Sequence, residues 1–527
     1  MGNYRIAFST VLNAGGQGLT ETITDLEILA GHGHPLLVSV TRPGQTGNLT
    51  VFNAGSGAVV SNTAIAPEMA QLTPPDLALL QIGGQTFLGL LGLRDTGLQA
   101  MPLLSPGGLG AIQRLTAPGQ DLGLMTGLVT AESGDTLHHF ASIRGTGLLR
   151  LDSMAEAGVQ GQSIALTGVG SQHMVSDLVS LSVGGSGFIV MAFASADTLS
   201  AYRVNAGGTL QRMSDHGAAQ GLGIDAPVAL SAVSLGLSHY IIVASTLSSS
   251  LSVLELDANG IMRPVDHIID DLNTRFHRVT ALETVAVADR NFVVAGGGDD
   301  GVSLFLVLPG GRLLHLDSMA DTMAATLADV ATLAATQIGS DLHVFATSAR
   351  EAGISRLTVA LGQPGQTVIG TSSPEQLSGT AQDDILSGKA GDDTLMGGAG
   401  QDILLDGAGL DQMTGGPGQD IFVLAADGQL DVITDFEPGT DRLDLSAWTG
   451  LTSPTQLVVE IRSGGAEVRY HGEVLDIRSA TGASLSRAEV LWAPVLNLTH
   501  APVASLPATP GDDPAAAGSA ADRWRWQ

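Results

Sequence analysis

GKAGDDTLM (388–396) and GGAGQDILL (397–405) are two nine-residue phrases with a glycine-rich start, an aspartate at the sixth place and a leucine at the eighth. The frame extends without insertion to GTSSPEQLS (370–378) and GTAQDDILS (379–387) on one side, and to DGAGLDQMT (406–414) and GGPGQDIFV (415–423) on the other. Its sixth place holds Glu375, Asp384, Asp393, Asp402, Asp411 and Asp420, and its eighth Leu377, Leu386, Leu395, Leu404, Met413 and Phe422. Carboxylate and apolar side chain stay in phase throughout.

Glycines at the first, second and fourth places permit a tight turn with positive φ, and the short strand that follows buries the eighth-place side chain. Turns of this kind stack into a parallel β-roll with two phrases to a coil, so each sixth-place carboxylate lies about 4.8 Å from the one eighteen residues away. At that distance two bare carboxylates repel by roughly 0.9 kcal/mol in water and about 3.5 kcal/mol at an effective dielectric of 20. A bound cation reverses the sign. Carboxylate and carbonyl oxygens are hard ligands, and with no cysteine anywhere in the chain the ion they select is calcium.

The pattern GGxGxDxUx, with U a large apolar residue, is met in full at 397–405 and 415–423 and resembles the calcium-binding repeat of RTX (repeats-in-toxin) proteins. Phrases one, two, three and five depart from it at Glu375, at Thr380 and Gln382, at Lys389 and at Asp406. The following DVITDFEPGTDRLDLS (431–446) resembles the segment that closes the roll in the serralysin-type branch, which implies ligating or capping roles for Asp431, Asp435, Asp441 and Asp444. The calcium set expected on this basis is Asp384, Gly391, Asp393, Gly398, Gly400, Asp402, Gly407, Gly409, Asp411, Gly416, Gly418, Asp420, Asp435 and Asp441. The resemblance also implies export by type I secretion machinery to the cell surface or medium.

The chain has 527 residues, 44% of them hydrophobic, enough for several cored domains. Its net charge is −29, of which 370–446 supplies −13, fifteen acidic residues against Lys389 and Arg442. Nucleic acid is a poor partner for such a surface. MGNYRIAFSTVLNAGG lacks the basic and apolar regions of a Sec leader, no apolar run is long enough to span a bilayer, and the long helices of a pore former are missing.

Ahead of the roll a longer period is present. Apolar runs begin at Pro35, Phe87, Leu137, Phe188, Tyr240, Phe292 and Leu342, spaced by 52, 50, 51, 52, 52 and 50 residues. Each follows another apolar stretch, such as DLEILA from Asp25, DLALLQ from Asp76 and DLVSLSV from Asp177, and precedes two more. Four short strands per repeat is the signature of a propeller blade. The expected fold is therefore all-β: a seven-bladed β-propeller over 1–362, its last blade completed by residues 3–9, then a calcium-binding parallel β-roll over 370–446. LVVEIRS, AEVRYHG and EVLDIRS suggest three short strands, and SLSRAEVLW resembles the apolar closing strand that follows RTX rolls, which implies a cap on the roll over 447–492. The Ala/Pro/Gly-rich 493–527 is expected to be a disordered tail carrying the secretion signal.

Propellers bind ligands on the loops between blades. Two loops carry Asp-His at matching places, Asp215-His216 and Asp266-His267, with Asp270 and His277 beside the second. Such a cluster suits a metal or acid–base site. The alternative makes Asp152, Asp215, Asp266 and Asp317 turn caps at the ends of the last strands. With no family-specific catalytic signature, the reading is a secreted, calcium-binding, non-enzymatic module for a cell-surface partner or self-assembly. A secreted, lactonase-like hydrolase is the rival.

Overall fold

The structure, a computed structural model, describes residues 4–12, 23–29, 34–41, 47–65, 71–104, 108–134, 136–153, 159–492, 500–501 and 509–510. The part up to Ala360 is propeller-like, each unit an antiparallel meander that begins with a strand on the inside of the ring. The inner strands Ile23–Leu29, Gln71–Ile82, Met125–Ser133, Asp177–Val183, Pro227–Leu235, Ala281–Val287 and Val330–Ile338 touch one another in chain order, and the last touches the first. Second strands such as Arg290–Gly296 are buried along their whole length, being covered by neighbours on both faces. This is why they read as unbroken apolar runs rather than alternating ones.

Five of the sheets are discrete four-stranded blades, not the seven that the repeat predicts. The third and fourth repeats run together in one nine-stranded sheet, joined where Ser133 pairs with Ser186. Gly187 explains the fusion: a Cβ there would collide with the Glu132 carbonyl, so only glycine lets the two strands approach. The last discrete blade is Val330–Ile338, Asp341–Ser348 and Ile354–Ala360, completed by Ile6–Leu12 pairing antiparallel with Ile354–Ala360. Of the expected closing segment, residue 3 lies outside the described residues.

The parallel solenoid starts at Pro364–Ile369, before the first glycine-rich phrase. Two parallel sheets form its walls. One stacks Leu377 on Leu395, Met413 and Ile433, and the other Leu386 on Leu404, Phe422 and Leu443. These eighth-place side chains meet inside the roll with Phe436, Trp448 and Leu475. Val458–Arg462, Gly465–Tyr470 and Glu473–Ser479 extend one wall as a hairpin-linked cap. SLSRAEVLW is not a closing strand: Arg487–Trp492 is a helix. Ser486 and Glu489 decide this as a capping box, the Ser486 N–H donating to the Glu489 carboxylate at 2.7 Å and the Glu489 N–H to the Ser486 hydroxyl at 3.2 Å.

Roll and propeller share one apolar seam in which Ile385, Ile403 and Val423 pack with Tyr4, Val287 and Phe292. Arg290, 2% exposed, bridges it, donating to the Tyr4 hydroxyl and to the Asp383 carbonyl. Among the described residues no helix is long and apolar enough to cross a membrane.

Candidate metal centre

Two columns of carboxylates climb the roll, Glu375–Asp393–Asp411–Asp431 and Asp384–Asp402–Asp420–Asp441. Oδ1 of each aspartate accepts the N–H of the residue one coil earlier. Asp393 accepts from Glu375 at 2.8 Å, Asp411 from Asp393 at 2.7 Å and Asp431 from Asp411 at 3.0 Å. In the other column the distances are 2.8 Å for Asp402, 2.9 Å for Asp420 and 3.1 Å for Asp441. Sequence phase builds the ladders as far as Asp411 and Asp420, because the sixth-place residue of every second phrase lands at the same corner of the coil, and the closing segment adds Asp431 and Asp441 at spacings of 20 and 21 residues.

Oδ2 of Asp393, Asp402, Asp411 and Asp420 is buried and has no hydrogen-bond partner. A buried anionic oxygen without a partner is costly, and a cation is the group that relieves four such atoms in two columns. Burial first, and neighbouring carboxylates after it, push Asp402 and Asp411 up to about 6, Asp431 to about 7 and Asp420 to about 8. Backbone N–H groups offset only part of that rise. The donor set fits a hard divalent cation such as calcium.

The remaining expected ligands are distributed differently. Gly391, Gly398, Gly400, Gly407, Gly409 and Gly416 take φ between +99° and +145°, as their turns require. Gly418 does not, but a Cβ there would overlap the Gly400 carbonyl one coil below. Asp384 is satisfied within the protein, Oδ1 accepting from Gln366 N–H at 2.6 Å and Oδ2 from the Thr380 hydroxyl at 2.9 Å. Thr380, standing where the repeat has glycine, thus leaves Asp384 without an orphaned oxygen. Asp435 accepts the N–H groups of Gly415 and Gly416, and Asp441 Oδ2 that of Glu437.

Of the catalytic candidates, Asp215, His216, Asp266 and His267 lie on the outermost strands, away from the ring centre, and Asp270 and His277 lie in the loop after Met262–Ile269. Asp266 Oδ2 accepts the N–H of Leu313 in the next blade at 2.7 Å, and Asp317 does the same for Ile6 at 2.8 Å. Asp215, Asp266 and Asp317 sit near β-bulges within their strands rather than capping turns, and Asp266 and Asp317 there clasp the next blade. Asp215 accepts from Ser200 and Arg212, His267 Nδ1 faces the Ser252 hydroxyl at 2.8 Å, and burial lowers both His216 and His267. Asp270 ties a turn through Thr274 and Phe276, and His277 meets Ser249.

Most of the expected disordered tail lies outside the described residues, but its described parts are docked here. His500 Nδ1 is 2.6 Å from Asp266 Oδ1, Ala501 N–H donates to the His267 carbonyl, and Thr509–Pro510 pairs with Ser214 and Asp215. Burial alone would raise the Asp266 carboxyl, but His500 and Arg312 hold it below its ordinary value. Asp266→Ala strips the acceptor from both Leu313 and His500, so it is expected to lower stability by about 2–4 kcal/mol and to speed proteolysis between 493 and 510. Thermal melting and limited proteolysis check both.

Sequence reading missed the ring centre. Asp25, Glu27, Asp76, Asp177 and Glu283 stand on the inner strands, and burial raises all five, Asp177 to about 7 and Glu27 to about 8. Asp25 Oδ2 accepts Leu77 N–H and Asp177 Oδ2 accepts Leu230 N–H, both in the next unit. The signal was the aspartate opening DLEILA, DLALLQ and DLVSLSV, at one place of the long repeat.

Residues 369–404 and 397–427 match the family described as RTX calcium-binding nonapeptide repeat (4 copies). No curated protein matches the chain. Among solved structures, a functionally unknown protein from Desulfotomaculum acetoxidans DSM 771 is similar at 13% identity over 59% of this chain and 95% of that one, with a TM-score of 0.39. The AlgE6R3 subunit of the Azotobacter vinelandii mannuronan C5-epimerase is similar at 27% identity over 22% of this chain and 80% of that one, with a TM-score of 0.18. The segment 369–427 therefore carries RTX calcium-binding nonapeptide repeats, wound as a parallel β-solenoid against a propeller-like ring.

Proposed function

We propose that this chain is a secreted calcium-binding protein whose roll folds on meeting calcium after type I export. Its propeller-like part then serves as a binding or assembly module at a cell surface or in the extracellular matrix. The observation that carries this reading is the set of four orphaned Oδ2 atoms on Asp393, Asp402, Asp411 and Asp420. Calcium held there supplies charge neutralisation and joins successive coils. A calcium-poor cytosol leaves such sites empty, and an extracellular medium fills sites with dissociation constants of about 10⁻⁴–10⁻³ M. A binding rather than catalytic role is supported by Asp266 and Asp317 each being engaged in a clasp to neighbouring chain.

Titrating calcium-free protein while following circular dichroism and light scattering tests the reading. A cooperative gain of β signal at about 10⁻⁴–10⁻³ M calcium is expected, with growth in particle size if the module self-assembles. An unchanged spectrum with no calcium bound would overturn it.

A further inference from the structure

In the fifth phrase an aspartate stands where the other five phrases have glycine. At Gly370, Gly379 and Gly388 a Cβ would come within 2.6–2.7 Å of the sixth-place carboxylate of the same phrase, and at Gly397 and Gly415 nearer still. The first place is thus a gap beside the carboxylate that the rest of the repeat keeps open. Asp406 fills it with a second carboxylate.

The closing segment brings a third. One carboxylate oxygen each from Asp406, Asp411 and Asp431 lies within 4.8 Å of the others, and all three residues are buried. Oxygens bound to one ion at about 2.4 Å lie no farther apart than about 4.8 Å, so the three can share a single calcium-sized cation. The second, independent observation is Asp411 Oδ2, which is buried without a hydrogen-bond partner on a residue that is 2% exposed. The other two are held in place: Asp406 accepts Ala425 N–H at 2.8 Å, and Asp431 Oδ1 accepts Asp411 N–H at 3.0 Å. Lys389 and Arg312 line the adjoining cavity of about 280 Å³ at the propeller seam, but among the described residues neither forms an ion pair with Asp406.

We propose that Asp406, Asp411 and Asp431 form one three-carboxylate divalent-cation site, in which the orphaned Asp411 oxygen is joined by two side chains from outside the repeat's sixth place, beside the cavity at the propeller seam. It rests on the calcium reading of the roll but not on the repeat's own turn, since Asp406 breaks the repeat and Asp431 lies beyond it. The ion class is a hard divalent cation with calcium as the occupant, because every side-chain donor is a carboxylate oxygen.

The test is calcium binding to full-length, calcium-free protein, with bound ions counted by equilibrium dialysis and affinities taken from calorimetry. Asp406→Gly restores the repeat and is expected to keep the calcium-driven gain of β structure while losing the tightest class of site, roughly tenfold or more in affinity, because one carboxylate ligand is removed. Asp431→Asn keeps the acceptor for Asp411 N–H, and is expected to weaken the tightest class of sites by roughly tenfold or more, since ligand charge sets affinity. Asp420→Asn, in the other column, should leave that class in place. Equal ion counts and affinities for the parent and Asp406→Gly would overturn the site while leaving the calcium roll standing. Failure of the parent to bind calcium at all would overturn both, and by a different observation.

Discussion

In calcium-free protein the roll is expected to grow more stable as the pH falls from about 8 to about 4, and in calcium-saturated protein the trend is expected to reverse. The buried aspartates fix the sign. Asp402, Asp411 and Asp441 are raised to about 6, Asp431 to about 7 and Asp420 to about 8, in each case by burial first. An unfolded aspartate titrates near 3.9, so the folded roll binds protons more tightly than the unfolded chain. Stability from such groups is fully present below the unfolded value and is lost as pH rises through the folded ones. Asp420 alone amounts to roughly 5 kcal/mol between those limits. Its neighbours titrate with it, because Asp402, Asp441 and Asp435 all raise it, so their contributions do not simply add.

Calcium replaces the proton as the partner of the orphaned oxygens, and protons then compete with it below about pH 6. Melting curves at pH 8 and pH 4.5, with and without calcium, give the four values needed. A calcium-free roll that melts at one temperature across this range would show that the carboxylates of the empty ladders stay solvated. It would remove the electrostatic reason for the roll to stay open without calcium.

How far the sequence could be read divides along the range of the interactions. The roll was legible because everything that defines it recurs within nine residues: phase puts Asp393 beneath Asp411 and Leu395 beneath Met413 without any other knowledge. The long repeat was legible for a similar reason, since a second strand covered on both faces must be apolar throughout. Where the reading failed, the cause was a contact between distant segments. Gly187 does not announce that it will lie against Glu132, nor Asp266 that it will reach Leu313 in the next blade. The helix at Arg487–Trp492 was a different kind of miss, because Ser486 and Glu489 spell a capping box locally and were outweighed by the apolar AEVLW that follows. At the metal centre the sixth-place aspartates were named correctly as neighbours of one another, but which of their oxygens remain free depends on partners such as Gln366 and Thr380, which occupy both oxygens of Asp384.

Deleting residues 1–10 is expected to destabilise the ring and the seam together, by on the order of 8 kcal/mol, which is comparable with the whole stability of a typical domain. The segment completes the last blade through the pairing of Ile6–Leu12 with Ile354–Ala360, and without it an unpaired strand edge faces solvent. Three losses accompany the exposed edge. Tyr4, packed with Phe292 at 5.8 Å between ring centroids, leaves the seam at about 1.5–3 kcal/mol for a buried side chain, and the partly buried Ile6 and Phe8 leave with it at a smaller cost each. Asp317 loses the Ile6 N–H that joins the neighbouring blade to the closing strand. Arg290, almost wholly buried, loses the Tyr4 hydroxyl while its bond to the Asp383 carbonyl remains, and losing such a buried acceptor costs about 2–3 kcal/mol. Point variants separate these terms. Tyr4→Phe removes only the hydroxyl and is expected to cost about 2–3 kcal/mol by leaving the guanidinium short of an acceptor, whereas Tyr4→Phe with Arg290→Met should recover most of that loss, because an apolar pair of similar volume needs no partner. Soluble yield and melting temperature report the deletion, and a calorimetric trace reports whether ring and roll still melt as one. A truncated chain that expresses and melts like the parent would mean that Ile6–Leu12 decorates the ring without closing it, and the stability of the seam would then have to come from Ile385, Ile403 and Val423 alone.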